Sequence, residues 1–405
     1  MMWLIWLQAA LAADLAIVGA TVLPVSGPAI EQGVVLIDQG KISAVGADVA
    51  VPEGTPTVDG SGQYLMPGII DVHSHMGVYP WPGARAHGDG NEAVEPVTAR
   101  VWAGDSVHVS DPAFSRARAG GVTTVMILPG SANLIGGQSV TLKLRPSRTL
   151  KGMAMDGAPR GIKMACGENP KRVYGDDPKG PSTRMGNLAG MRAAFQGARD
   201  YSLARRTWRE KPALDADKEV LLDVMRGKIR VHIHCYRHDD IEGIYRVMDE
   251  YQIKVASLHH ALEAYKVRDL IADHGTGVAT WADWWGFKME AHDGIPHNAA
   301  LVKSAGVPVA IHSDSANQVQ RLYVQAAKTL RYGMSEADAL ETITLDPARI
   351  AGIEGRVGSI EVGKDADLAL FSHHPLDVYT RVTRTFIDGV QVYDRAEEGT
   401  PDARP

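Results

Sequence analysis

GIIDVHSHMG, residues 68–77, puts two histidines one residue apart at the end of a β-branched apolar run. The run from Gly68 to Val72 reads as a buried strand. Side chains two apart on a strand leave from the same face, so His73 and His75 aim their imidazoles at one point. Such a pair is a metal site or two core histidines. The pattern around it has to decide.

From Gly68 onward, apolar runs alternate with helical patterns. GIIDVHSH is followed by a helix near DPAFSRARAG and then by GVTTVMIL, SVTLKL and GIKMA. A charged helical region covers residues 188–227. Next come IRVHIHC, the helix DDIEGIYRVMDEY, KVASLHH, the helix ALEAYKVRDLIADHG and GVATWADW. The helix IPHNAALVKSAG, the strand VPVAIHSD and the helix ANQVQRLYVQAAKTLRYG close the series. Short strands mostly separated by helices imply a parallel sheet, and eight of them predict an α/β fold, a (β/α)8 TIM barrel over residues 67–355. A last helix starts at Ser335, with Asp338 completing a capping pair, and ends before Gly352.

The two ends have another character. Residues 13–66 are β-rich, with a hairpin signal at Asp38-Gln39-Gly40-Lys41, and residues 356–395 repeat the short-strand, Gly/Asp-turn pattern. Neither end is long enough for a core of its own. Packed together they would form one small β-sandwich domain beside the barrel. Residues 396–405 read as a polar tail.

Composition excludes several classes. The net charge of −6 over 405 residues, without a basic stripe, argues against nucleic acid as a partner. Beyond the N-terminal apolar run, no segment has the length or apolarity of a membrane span. Residues 1–12, MMWLIWLQAALA, read as a signal peptide cut after Ala12, which implies a periplasmic or secreted protein. The run carries no Lys or Arg, so an extra N-terminal extension of a cytoplasmic protein stays open. Cys166 and Cys235 fall near the ends of neighbouring strands. Buried free thiols are the simpler reading, with a bridge open in an oxidising compartment.

Barrel enzymes do their chemistry at the C-terminal ends of the strands. Here strand one ends with His73 and His75, strand five with His232 and His234, strand six with His259 and His260, and strand eight with Asp314. Strand four carries Lys163, and Glu168 follows in its loop. One strand-end histidine is ordinary hydrogen-bonded structure. Several from separate strands on one rim are costly to bury unless they hold a metal.

At these residues the chain resembles the amidohydrolase superfamily of metal-dependent hydrolases. PGIIDVHSHMG is similar to its strand-one signature and VGSIEVGKDADLAL to its closing β segment. Within it, the chain resembles the imidazolonepropionase-like and Xaa-Pro dipeptidase-like branch. The resemblance implies that His73 and His75 bind a more buried metal, that His234 and His260 bind a more exposed one, and that Asp314 binds metal and acts as the catalytic base. It implies a bridging group from strand four, either a carboxylated Lys163 or Glu168 directly.

Imidazole and carboxylate ligands suit one or two divalent ions, Zn²⁺ above all. The expected chemistry is hydrolysis of a C–N bond, amide or cyclic amide, in a small-molecule substrate. An Xaa-Pro dipeptidase-like peptidase and a non-catalytic barrel scaffold are the alternatives. Trp284, in a cluster with Trp281, Trp285 and Phe287, and Arg172, beside Arg184, are candidate substrate-binding residues. Inter-helix packing and loop ion pairs are their plainer readings. His259 supports the ligands or is simply hydrogen-bonded structure. A homo-oligomer is left open.

Overall fold

The apolar runs fold into short strands buried on both faces. In the computed structural model these are β1 (Ile69–Ser74), β2 (Val122–Ile127), β3 (Ile135–Gln138), β4 (Val140–Lys143), β5 (Arg160–Ala165), β6 (Ile229–Cys235), β7 (Val255–His260), β8 (Gly277–Thr280) and β9 (Val309–Ile311). The structure describes residues 13–177, 180–207 and 209–397. The segment read as a signal peptide and the tail beyond Glu397 lie outside the described residues. No helix among those described is long and apolar enough to cross a membrane.

β1 pairs in parallel with β2, and β5 through β9 form a parallel series in chain order. The segment read as a third parallel strand departs from that expectation. β4 runs antiparallel to β2, and β3 runs antiparallel to β5. The cause is the connection. Residues 128–134 contain no helix, and a parallel neighbour needs a crossover long enough to return the chain to the starting edge. The expected ring of eight parallel strands is therefore two ladders, β1-β2-β4 and β9-β8-β7-β6-β5-β3. Between β9 and β1 the link runs through the backbone just beyond β9, where Asp314 N–H donates to His73 O at 3.2 Å.

Register decides which polar residues meet. Lys163 lies opposite His232, and His232 opposite Ser257; two residues further on, His234 lies opposite His259. Cys166 and Cys235, expected more simply as free thiols, are joined in a disulfide, with 5.3 Å between their Cα atoms. Cys166 directly follows β5 and Cys235 ends β6, so the bond fixes the strand ends that carry Lys163 and His234.

Helices mostly follow the expected pattern, with breaks. The charged region is two helices, Arg184–Thr207 and Ala216–Met225. The segment from Ser335 is also two, Glu336–Glu341 and Leu345–Ala351, with Ser335 capping the first and Gly352 ending the second at φ +74°.

Strands from both chain ends share one hydrogen-bonded sheet, and Leu368–Phe371 pairs antiparallel with Tyr64–Pro67 at the junction. The Asp38–Lys41 turn has φ +48° at Gln39 and +75° at Gly40, the left-handed pair a two-residue hairpin needs. Ile17, Val35, Leu65, Leu368 and Phe386 are buried together in this sheet's own core. A charge cluster ties this sheet to β4. The fully buried Lys143 of β4 reaches Asp365 (2.8 Å), Asp367 (3.0 Å) and Asp388.

Candidate metal centre

At the C-terminal end of β1, His73 is buried and His75 nearly so. Their Nε2 atoms approach to 3.3 Å, and Asp314 Oδ1 lies 3.7 Å from the first and 3.4 Å from the second. Leu128 O can only accept, so the Nδ1 of His75, 2.8 Å away, carries the proton. The Nε2 lone pair is then turned toward Asp314.

His73 is held from its other side by a buried chain. Its Nδ1 lies 2.8 Å from His259 Nδ1, His259 Nε2 lies 2.7 Å from Ser257 Oγ, and Ser257 Oγ lies 2.8 Å from His232 Nδ1. His259 is thus hydrogen-bonded on both nitrogens. His232, Ser257 and His259 are at most 1% exposed.

His260 and Asp314 both sit in the left-handed backbone region, at φ +68° and +49°. Non-glycine residues stay there only when their surroundings over-determine them. For His260 those surroundings include Trp281, stacked at 4.4 Å, and Tyr236, stacked at 5.2 Å. For Asp314 they include the bond from its own N–H to His73 O.

Two groups of donor atoms lie within 4.8 Å of one another: His73, His75 and Asp314, and His73, His260 and His312. The ring of His234 lies beside that of His260 at 4.7 Å. Its Nε2 is 3.3 Å from Asn169 Nδ2, and its Nδ1 has no partner. Lys163 is buried among these imidazoles, with Nζ 3.2 Å from Pro129 O. His312 was not singled out in the sequence, although IHSD repeats the alternation of HSH and places His312 on the same face as Asp314.

Other expected residues stand elsewhere. Glu168 belongs to neither donor group; its carboxylate pairs with Lys288 at 3.1 Å, and its N–H donates to Glu290 at 2.6 Å. Arg172 is exposed on the short helix Glu168–Tyr174 and is not brought to the cluster. Arg184 is taken up by Asp240 (2.9 Å) and Glu290. Trp284 is half-buried and stacks on Trp281 at 5.3 Å, which continues the aromatic surface that begins at His260.

Burial sets the electrostatics. It pushes His75, His232 and His312 down to about 3 and holds His73, His234, His259 and His260 well below the usual histidine range, with the Lys163 charge acting in the same direction on all seven. All are neutral imidazoles near pH 7. Burial brings Lys163 down to about 8 against the pull of Asp314, and raises Asp314 to about 7 against the pull of Lys163. Neutral imidazoles with free lone pairs beside a carboxylate fit a divalent cation.

A sequence model of the amidohydrolase family matches residues 64–392. The chain belongs to the amidohydrolase family. It is 32% identical to amidohydrolase tasK of Hapsidospora irregularis over 92% of its own length, but spans only 42% of that relative. It is 28% identical to a 5-methylthioadenosine/S-adenosylhomocysteine deaminase of Symbiobacterium thermophilum, over 88% of this chain and 84% of the relative. Among solved structures, an amidohydrolase from Thermotoga maritima superposes with a TM-score of 0.88 at 39% identity, over 94% of this chain and 100% of the other. Family membership accounts for the layered α/β fold and for a rim of His and Asp suited to divalent metal.

Proposed function

We propose that this amidohydrolase cleaves a non-peptide C–N bond, in a linear or cyclic amide, of a small-molecule substrate with the help of one or two divalent ions. The convergence of His73 Nε2, His75 Nε2 and Asp314 Oδ1 on one point of the barrel rim carries this reading. The chain's deaminase relatives, and others named imidazolonepropionase, favour a non-peptide C–N bond over a peptide.

His73, His75, His234, His260 and Asp314 would hold the metal, with Zn²⁺ the ion these donors suit best. Lys163 is the candidate bridge as a carbamate, supported by its burial among the imidazoles and by a pKa near 8 that leaves some of the amine neutral. When bound, the ion supplies Lewis-acid polarisation of the substrate and acidifies a water. Asp314 accepts a proton from the attacking water and returns it to the departing nitrogen, base then acid. The Leu128 carbonyl keeps His75 in the tautomer whose Nε2 lone pair would be free to hold a metal. His259 does the same for His73. The Trp281–Trp284 surface, which begins at His260, would help exclude water from the reacting centre.

Elemental analysis and a turnover screen test the reading. The metal-loaded protein is expected to carry stoichiometric transition metal and to hydrolyse members of a panel of amides, lactams and acyl amino acids. Turnover of Xaa-Pro dipeptides alone would move the assignment to a peptidase. Failure to bind any metal after loading would leave a non-catalytic scaffold. We also place the protein in an oxidising compartment, on the strength of the Cys166–Cys235 bond and the apolar residues 1–12. Sequencing the mature N-terminus should then find Ala13 first.

A further inference from the structure

Hydrogen bonding sorts the buried imidazoles of the barrel into two kinds. His259 is bonded on both nitrogens and His232 on Nδ1, so these rings already have structural work. His234 and His260 each leave Nδ1 without a partner. His312 has both nitrogens fully buried without one, at 1% exposure. Native structures rarely bury a polar ring with nothing to bond, so an unpartnered pair of nitrogens asks for a ligand outside the protein.

What surrounds His312 says which ligand. Its ring stacks on His73 at 4.9 Å and 26°, and meets His260 edge-on at 5.0 Å. Donor atoms of the three lie within 4.8 Å of one another. A soft divalent cation would find three lone pairs.

We propose that His312 is a metal ligand, forming with His73 and His260 an all-imidazole face for a divalent cation. This rests on the functional reading above and adds a ligand to it. His312 and Asp314 both lie just beyond β9, so the segment that leaves β9 would give two ligands, as the end of β1 does with His73 and His75. His73, His260 and His312 would hold a Zn²⁺ through imidazole nitrogens alone.

The test compares wild type, His312→Asn and His312→Leu for Zn²⁺ affinity by chelator competition, Co²⁺ absorption spectrum, and thermal stability with and without metal. The proposal expects Zn²⁺ affinity to fall by more than about tenfold, the least that even an outer partner of a ligand costs, and the Co²⁺ spectrum to change. It further expects the metal-free His312→Leu protein to be at least as stable as metal-free wild type, since the variant removes two unpartnered nitrogens. Added Zn²⁺ should then raise its melting temperature less. A purely structural histidine would give the reverse, a loss of metal-free stability with the metal response intact. Wild-type affinity and an unchanged Co²⁺ spectrum in a folded His312→Asn protein would overturn the proposal. If wild type itself binds no metal, the functional reading fails instead.

Discussion

Asp71 accepts hydrogen bonds from both the backbone N–H (3.3 Å) and the hydroxyl of Ser313 while also capping the N–H of His73 (3.1 Å). One fully buried carboxylate thereby sets the spacing between the strand that carries His73 and the segment that carries Asp314. β1 and β9 share no ladder, so this contact does the alignment that register does elsewhere.

Asp71→Ala should therefore damage the site more than the fold. It leaves the Ser313 donors buried without an acceptor, at about 1–3 kcal/mol. Thermal unfolding is expected to show a loss of that size and kinetics a larger fall in kcat than in substrate affinity. Unchanged kcat in the folded variant would show that Asp314 is aligned by something else.

Lys143 joins β4 to the sheet built from both chain ends. Replacing it with Met leaves Asp367 and Asp388 without their buried cation, and removing one partner of a buried pair costs about 3–5 kcal/mol. Denaturant unfolding should show it, with activity per folded molecule retained. The pH response has a definite sign. Burial raises Asp365, but hydrogen bonds from Lys143 and Lys41 outweigh it and hold the group down to about 2, below the ordinary 3.8. A depressed carboxylate adds stability that is complete above 3.8 and vanishes as pH falls through about 2. Lys143→Met should flatten that acid limb; an equally steep one would place the coupling with Lys41 and Arg356 alone.

Most of the site was legible because strands alternate. HSH at 73–75 and HIH at 232–234 each put their histidines on one face, and strand order puts those faces on one rim. His312 was equally legible, two residues before Asp314 in IHSD. The antiparallel return at β3 and β4 follows from the helix-free residues 128–134, a connection too short for a crossover, so it was readable from loop length and not from periodicity. Glu168 shows what sequence cannot supply. Its position beside strand four suits a metal bridge, but Lys288, more than a hundred residues away, claims the carboxylate. The disulfide depended on strand order in the same way: once β5 and β6 are neighbours, Cys166 and Cys235 are side by side.

Lys163 gives a chemical prediction. Carbamate formation needs the neutral amine, and burial brings this lysine down to about 8. Reloading of metal-free protein with Zn²⁺ and bicarbonate should accelerate as pH rises through that value. Native mass spectrometry should find one carbon dioxide added to wild type and none added to Lys163→Arg. An unmodified wild-type lysine in fully active enzyme would remove the carbamate from the mechanism.

The chain from His73 through His259 and Ser257 to His232 supports the last prediction. His73 needs its Nε2 lone pair for the metal, so its Nδ1 must carry the proton and donate it to His259. That makes His259 Nδ1 an acceptor and His259 Nε2 a donor to Ser257, whose hydroxyl then donates to His232 Nδ1. Each bond has one workable direction once the first is set. Ser257→Ala takes away the acceptor that selects this tautomer of His259, and removal of such an outer partner typically weakens metal binding by about 10–100-fold. Chelator competition on Ser257→Ala should show a loss in that range, while Ser257→Thr, which keeps the hydroxyl, should restore most of the affinity. Equal affinity in the two variants would mean that the chain fills space without orienting His73.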